Sequence, residues 1–75
     1  MMLRPGIYEH YKGKRYRVHF VAKWEEDLRP VVVYEALYEN PEGSYFVRPL
    51  DVFLEEIEVD WVKKPRFRFI SEQSS

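Results

Sequence analysis

From Tyr16 onward, apolar and polar positions alternate strictly. Tyr16, Val18, Phe20, Ala22 and Trp24 fall on one face, and Arg17, His19, Val21 and Lys23 on the other. A period of two sustained this long marks a half-buried strand, because a helix would scatter these groups around its circumference. The first set is assigned to the core. Upstream, Ile7–Tyr11 reads as a partner strand, with Ile7, Glu9 and Tyr11 on one face and Tyr8 and His10 on the other. The turn between them is Lys12-Gly13-Lys14, where Gly13 supplies the positive φ of a tight hairpin.

The acidic loop Glu25-Glu26-Asp27 leads to Val31–Tyr38, a β-branched and aromatic run that predicts a strand. Its three valines fill both faces and suggest a central position. Asn40-Pro41-Glu42-Gly43 predicts a turn that returns Tyr45–Arg48 antiparallel onto it. Pro49 ends that strand, and Asp51 is placed to cap one helical or 3₁₀ turn near residues 50–54. Ile57, Val59 and Trp61 alternate with acids and predict a further strand. Val62-Lys63-Lys64-Pro65 reads as a turn, and Arg66–Ile70 as the closing strand with Phe67 and Phe69 inward.

The expected fold is therefore mainly all-β. It is either a small SH3-like barrel or a strongly twisted antiparallel sheet of five to six strands, with the barrel favoured. One domain spans residues 1–75, with a lead-in at residues 1–5 and a flexible polar tail at residues 71–75.

Composition narrows the function classes. At 75 residues without cysteine, the chain has neither disulfides nor thiolate zinc ligands, so its 17% aromatic content must supply the core, or a homodimer must cover it. A net charge of −1 argues against a general nucleic-acid coat protein. The absence of a long apolar run and of a signal-peptide core leads to the expectation of a cytoplasmic protein that does not enter a membrane.

The residues that stand out are cations interleaved with aromatics. Tyr8, His10, Tyr11, Lys12, Lys14, Arg15 and Arg17 crowd the opening hairpin. Such a surface can hold anions while stacking rings, or it can be a solvated hairpin whose charges protect a sheet edge. Tyr34, Tyr38, Arg48 and Arg66 join His10 as a second set. Arg48 is notable because its planar fork clamps carboxylate or phosphate; the plainer role is an ion pair with Glu35, Glu9 or Asp51. The ligand-binding candidates are thus Tyr8, His10, Tyr11, Lys12, Tyr34, Tyr38, Arg48 and Arg66. His10 and His19 lie on separate strands without metal-ligand spacing, so neither a metal nor a cofactor is expected. The acidic pairs read as solvated surface, and no nucleophile arrangement or glycine-rich phosphate loop occurs.

Several segments occur together in a recognisable order. They are Gly6-Ile7-Tyr8, His10-Tyr11-Lys12-Gly13, Tyr16 with Val18, Val32-Val33-Tyr34, Leu37-Tyr38, Val47-Arg48-Pro49 with Phe53, and Pro65-Arg66-Phe67. In these the chain resembles, over nearly its full length, the small bacterial family known as domain of unknown function 1653. The resemblance implies a stand-alone small domain and supplies no reaction. From the residues, the expected role is a non-enzymatic binding module for a peptide, protein or anionic ligand. The alternatives are a single-stranded nucleic-acid binder, which the net charge disfavours, and a small enzyme or enzyme subunit using His10 with Arg48.

Overall fold

The computed structural model describes residues 3–39 and 43–72. Chain order is β1 (Gly6–His10), β2 (Arg15–Lys23), β3 (Pro30–Ala36), β4 (Tyr45–Pro49), α1 (Leu50–Phe53), β5 (Glu56–Val59), β6 (Val62–Pro65) and β7 (Phe67–Ser71). Five strands form one antiparallel sheet in the order β4-β3-β2-β1-β7, and β5 and β6 form a separate ribbon. The sheet is open. The expected barrel is not formed, because β4 and β7 end up on opposite edges with three strands between them. Its concave side is instead closed by α1, whose Leu50 and Phe53 are buried against Tyr8, Val18, Val32, Tyr34 and Phe67.

The opening hairpin forms as its sequence dictates. Gly13 N–H donates to His10 C=O and His10 N–H to Lys14 C=O, both at 2.7 Å, while Gly13 has φ +101°. This is a three-residue loop, Tyr11-Lys12-Gly13, in which glycine takes the left-handed position. Gly6 has a different constraint. At φ +146° it lies so close to β7 that a Cβ there would collide with the Ser71 carbonyl oxygen and the Phe69 ring.

The alternation of β2 is interrupted. Val18 pairs with Tyr34, but Phe20 pairs with Val33, so two steps on β2 oppose one on β3. His19 is the extra residue of a β-bulge, and it moves every later residue of β2 to the other face. Tyr16 and Val18 face the core as expected. Beyond the bulge Val21, not Phe20, packs against it, and Phe20 and Trp24 are 57% and 47% exposed.

Val62–Pro65, expected as a turn, is a strand. The turn is two residues earlier: Asp60 and Trp61 both have positive φ and join the paired residues Val59 and Val62, the mark of a type I′ loop. All of β6 is exposed, so it carries no hydrophobic period that sequence could reveal. Trp61, expected to alternate with the β5 apolar residues, sits at the ribbon tip and is 92% exposed.

Leu3 packs on the core, and Arg4 lies 4.1 Å above the Phe69 ring and pairs with Glu72. The lead-in is thereby tied to β7, and Ser71, expected in the tail, is the last residue of that strand. Most of the expected Asn40–Gly43 turn and the end of the tail lie outside the described residues. The strands it was to connect do pair, with Glu35 opposite Tyr45 and Val31 opposite Pro49.

Candidate functional site

The core side of the sheet reaches the surface where β1, β2, β3 and β7 bring their aromatic residues together. Tyr16 of β2 is central there. Its ring meets Tyr34 at 5.3 Å, Tyr38 at 5.5 Å and Phe67 at 5.7 Å, all edge-on, the geometry the ring quadrupole favours. Its hydroxyl shares a 2.9 Å hydrogen bond with that of Tyr38. Burial, and then the bond to Tyr38, raise the Tyr16 phenol above its ordinary pKa, so it stays neutral and available for hydrogen bonding.

Cations lie along this strip of rings. Lys14 Nζ stands 4.5 Å from the Tyr38 centroid, and Arg48 Cζ lies 5.6 Å from that of Phe67. Arg48 Nε–H donates to the Tyr34 hydroxyl at 3.2 Å. The ion pair expected for Arg48 is not made among the described residues. Glu35 bonds His19 and lies 4.0 Å from Arg17, Glu9 pairs with Arg68 and Arg15, and Asp51 accepts from the Val52 N–H. Register explains why: Glu9 opposes Arg15, and Glu35 opposes Arg17, so these carboxylates point to the far side of the sheet. Among the described residues, Arg48 has no acidic partner.

His10 completes the strip. Its ring is 4.9 Å from Phe67 and 4.5 Å from Tyr11. Its Nδ1 accepts the Lys12 N–H at 3.2 Å, which leaves Nε2 to carry the proton of the neutral ring and to act as donor. Burial lowers the His10 pKa, and Arg48, Arg66 and Lys12 lower it further. Three cations that all act on one imidazole mark a region of positive potential. A groove of about 400 Å³ opens beside His10 and Tyr11, walled by Glu9, Lys64, Pro65 and Arg68, with Glu9 held by Arg68.

The candidates therefore divide. His10 and Arg48 meet at Phe67 and Tyr38 meets Tyr16, while Tyr11 and Lys12 join the cluster through His10. Tyr34 is buried and positions Arg48 through its hydroxyl. Tyr8 is 6% exposed, a core residue whose hydroxyl donates to the Arg4 carbonyl at 2.8 Å, so it offers no stacking surface. Arg66 is held by Glu55 at 2.7 Å, while its Nε–H is buried without a partner among the described residues. Tyr16 and Phe67 stand at the centre of this cluster, although in sequence each reads as plain core. The available signal was the register that puts Tyr16 opposite Tyr8 and Ala36. His10 and Arg48 touch the same ring, so they share one side of the sheet. Among the described residues, no three His, Cys, Asp or Glu side chains gather closely enough to hold a metal ion. No helix there is long and apolar enough to cross a membrane.

The same architecture occurs in a solved structure. A crystal structure of a DUF1653 protein from Bordetella bronchiseptica is 32% identical to this chain and superposes with a TM-score of 0.90, covering 97% of this chain and 94% of the other. No curated protein matches the chain. The family described as "Protein of unknown function (DUF1653)" matches residues 6–69, which include every member of the His10–Tyr16–Arg48–Phe67 strip. The chain belongs to the DUF1653 family.

Proposed function

We propose that this protein is a non-enzymatic binding module that captures an anionic group on a peptide or protein ligand. Arg48 is the anchor, and its missing acidic partner is the observation that carries the reading. A half-buried guanidinium packed against a ring, hydrogen-bonded among the described residues only to a phenol, is oriented to receive a carboxylate or phosphate through its remaining N–H groups. Lys14 adds charge at the Tyr38 end, and Lys12 and the His10 Nε2–H add a cation and a donor at the other. The exposed edges of Tyr38 and Tyr11 supply stacking surface to the residue that bears the anion. A cysteine-free chain suits the reducing cytoplasm, where we locate the function.

A titration of ¹⁵N-labelled protein with short acidic peptides tests this. Shifts at His10, Tyr16, Tyr38 and Arg48, lost in Arg48→Ala, are the expected result. Binding of single-stranded oligonucleotides alone, weakening steeply with salt as counterion release requires, would overturn the choice of ligand. A second reading, a small enzyme, rests on His10 and Arg48 sharing the Phe67 ring. It requires turnover of a bound anionic substrate that His10→Gln abolishes without abolishing binding.

A further inference from the structure

The far side of the sheet carries a feature that the anion site does not use. Phe20 pairs with Val33 and Val33 with Val47, and the next row on the same face is Ala22, Val31 and Pro49. Cross-strand partners project to the same side, so these two rows form a continuous apolar surface over β2, β3 and β4. The bulge at His19 creates it, because without the extra residue Phe20 would point into the core. Phe20, Val47 and Tyr45 are 57%, 56% and 66% exposed. The helix lies on the opposite face, and no described residue of the ribbon contributes to the core.

We infer that this face is the contact between two copies of the chain, related by a two-fold axis and packed sheet against sheet. Three observations favour a second copy over a different partner. The first is area. An aromatic side chain carries roughly 150–250 Å², of which 57%, 47% and 66% is open on Phe20, Trp24 and Tyr45; with Val47 they offer on the order of 400 Å², Val31 being only 6% exposed. That is about half of the ~800 Å² per partner of a standard interface, with the polar rim to add. The second is charge. The face is framed by networks that contain both signs, His19 and Arg17 with Glu35 at one end and Arg29 with Asp27 at the other. A two-fold therefore opposes no block of like charge, and a net charge of −1 sets up little repulsion between copies. The third is size: a short chain without disulfides gains most from covering an apolar face with its own copy. The aromatic strip and the Arg48 guanidinium, held by Tyr34 and Phe67, lie on the other side, and Arg48 borders the contact only where the groove of Trp24, Val31 and Val47 reaches the β4 edge.

Sedimentation velocity of the full chain from low micromolar to millimolar concentration, with amide shifts followed on dilution, tests the inference. A doubled mass, with dilution shifts centred on Phe20, Val33 and Val47, is the expected result. Phe20→Lys with Val47→Lys should halve the mass and leave peptide binding at Arg48 unchanged. Tyr45→Lys, at a still more exposed position, provides the same test should the double variant fold poorly. A monomer throughout the range would overturn the inference, as would dilution shifts centred elsewhere or a dimer that survives these substitutions.

Discussion

The Phe53 ring lies flat on the Phe67 ring, with planes 4° apart and centroids separated by 4.0 Å. This stack joins the one-turn helix to the last strand of the sheet. Phe67 is also the ring against which both His10 and Arg48 rest, so the packing that closes the core also sets the floor of the proposed anion site.

Removing the Phe53 half of that stack should unfold the domain, and trimming it should loosen the floor. Phe53 is 1% exposed, and truncation of such a ring costs about 3–5 kcal/mol, comparable with the whole stability of a small domain. Phe53→Ala should therefore be largely unfolded by circular dichroism. Phe53→Leu should fold with a lowered melting temperature and weaker peptide binding, because the Phe67 ring loses its stacking partner.

The two hairpin-region glycines should respond differently to the same change. Gly6→Ala meets the Ser71 carbonyl and the Phe69 ring at a positive φ, and overpacking with backbone strain should cost roughly 2–4 kcal/mol. Gly13→Ala meets nothing within 4 Å and bears only the cost of its φ of +101°, about 1 kcal/mol. Urea denaturation midpoints should reproduce that order.

Protonation of His10 should destabilise the fold. Burial and the neighbouring Arg48, Arg66 and Lys12 hold its folded pKa below the ordinary 6.5, so the unfolded chain binds the proton more readily. The associated stability is complete above that value and is lost as pH falls from it through the folded pKa. His10→Gln should flatten this part of the stability profile, and the acid-side losses from Glu9 and Asp27, whose pKa values their arginine partners lower, should remain. A bound anion reverses the local field, so saturating acidic peptide should raise the His10 pKa in an NMR titration.

Arg48→Lys should separate charge from shape. It retains the cation but not the planar fork, so affinity for an acidic peptide should fall about tenfold, a loss near 1.4 kcal/mol. Arg48→Ala should lose more, and it leaves the buried Tyr34 hydroxyl unpaired at about 1–3 kcal/mol. Tyr34→Phe combined with Arg48→Ala should recover part of that stability without recovering binding, as read by calorimetry and thermal melts.

The legible and illegible parts of this chain differ in how much of each strand the core covers. The hairpin at Gly13, the return of Tyr45–Arg48 onto β3 and the helical turn after Pro49 all follow from local signals: a required φ, a β-branched run, a residue that cannot continue a ladder. The bulge at His19 has no such signal, because it preserves perfect alternation in sequence while reversing it in space. Phe20 and Val21 exchange roles as a result. The β6 strand is exposed on both faces, and its lysines read as a turn. At the candidate site, His10 and Arg48 stand out by chemistry, whereas Tyr16 and Phe67 do not, since a core aromatic joins such a cluster only when register brings it to the rim of the core.

The tight ribbon turn at Asp60 and Trp61 has a spectroscopic consequence. One of the two indoles already stands almost wholly in water in the native state, and the other, Trp24, is half exposed. Emission from Trp61 should therefore be red-shifted before any denaturant is added and should change little as the core melts, whereas Trp24, on the face assigned to the dimer contact, should shift to the blue as copies associate. The same property makes Trp61 a quiet, solvent-facing probe, whose emission moves to the blue only when another surface closes over the ribbon tip.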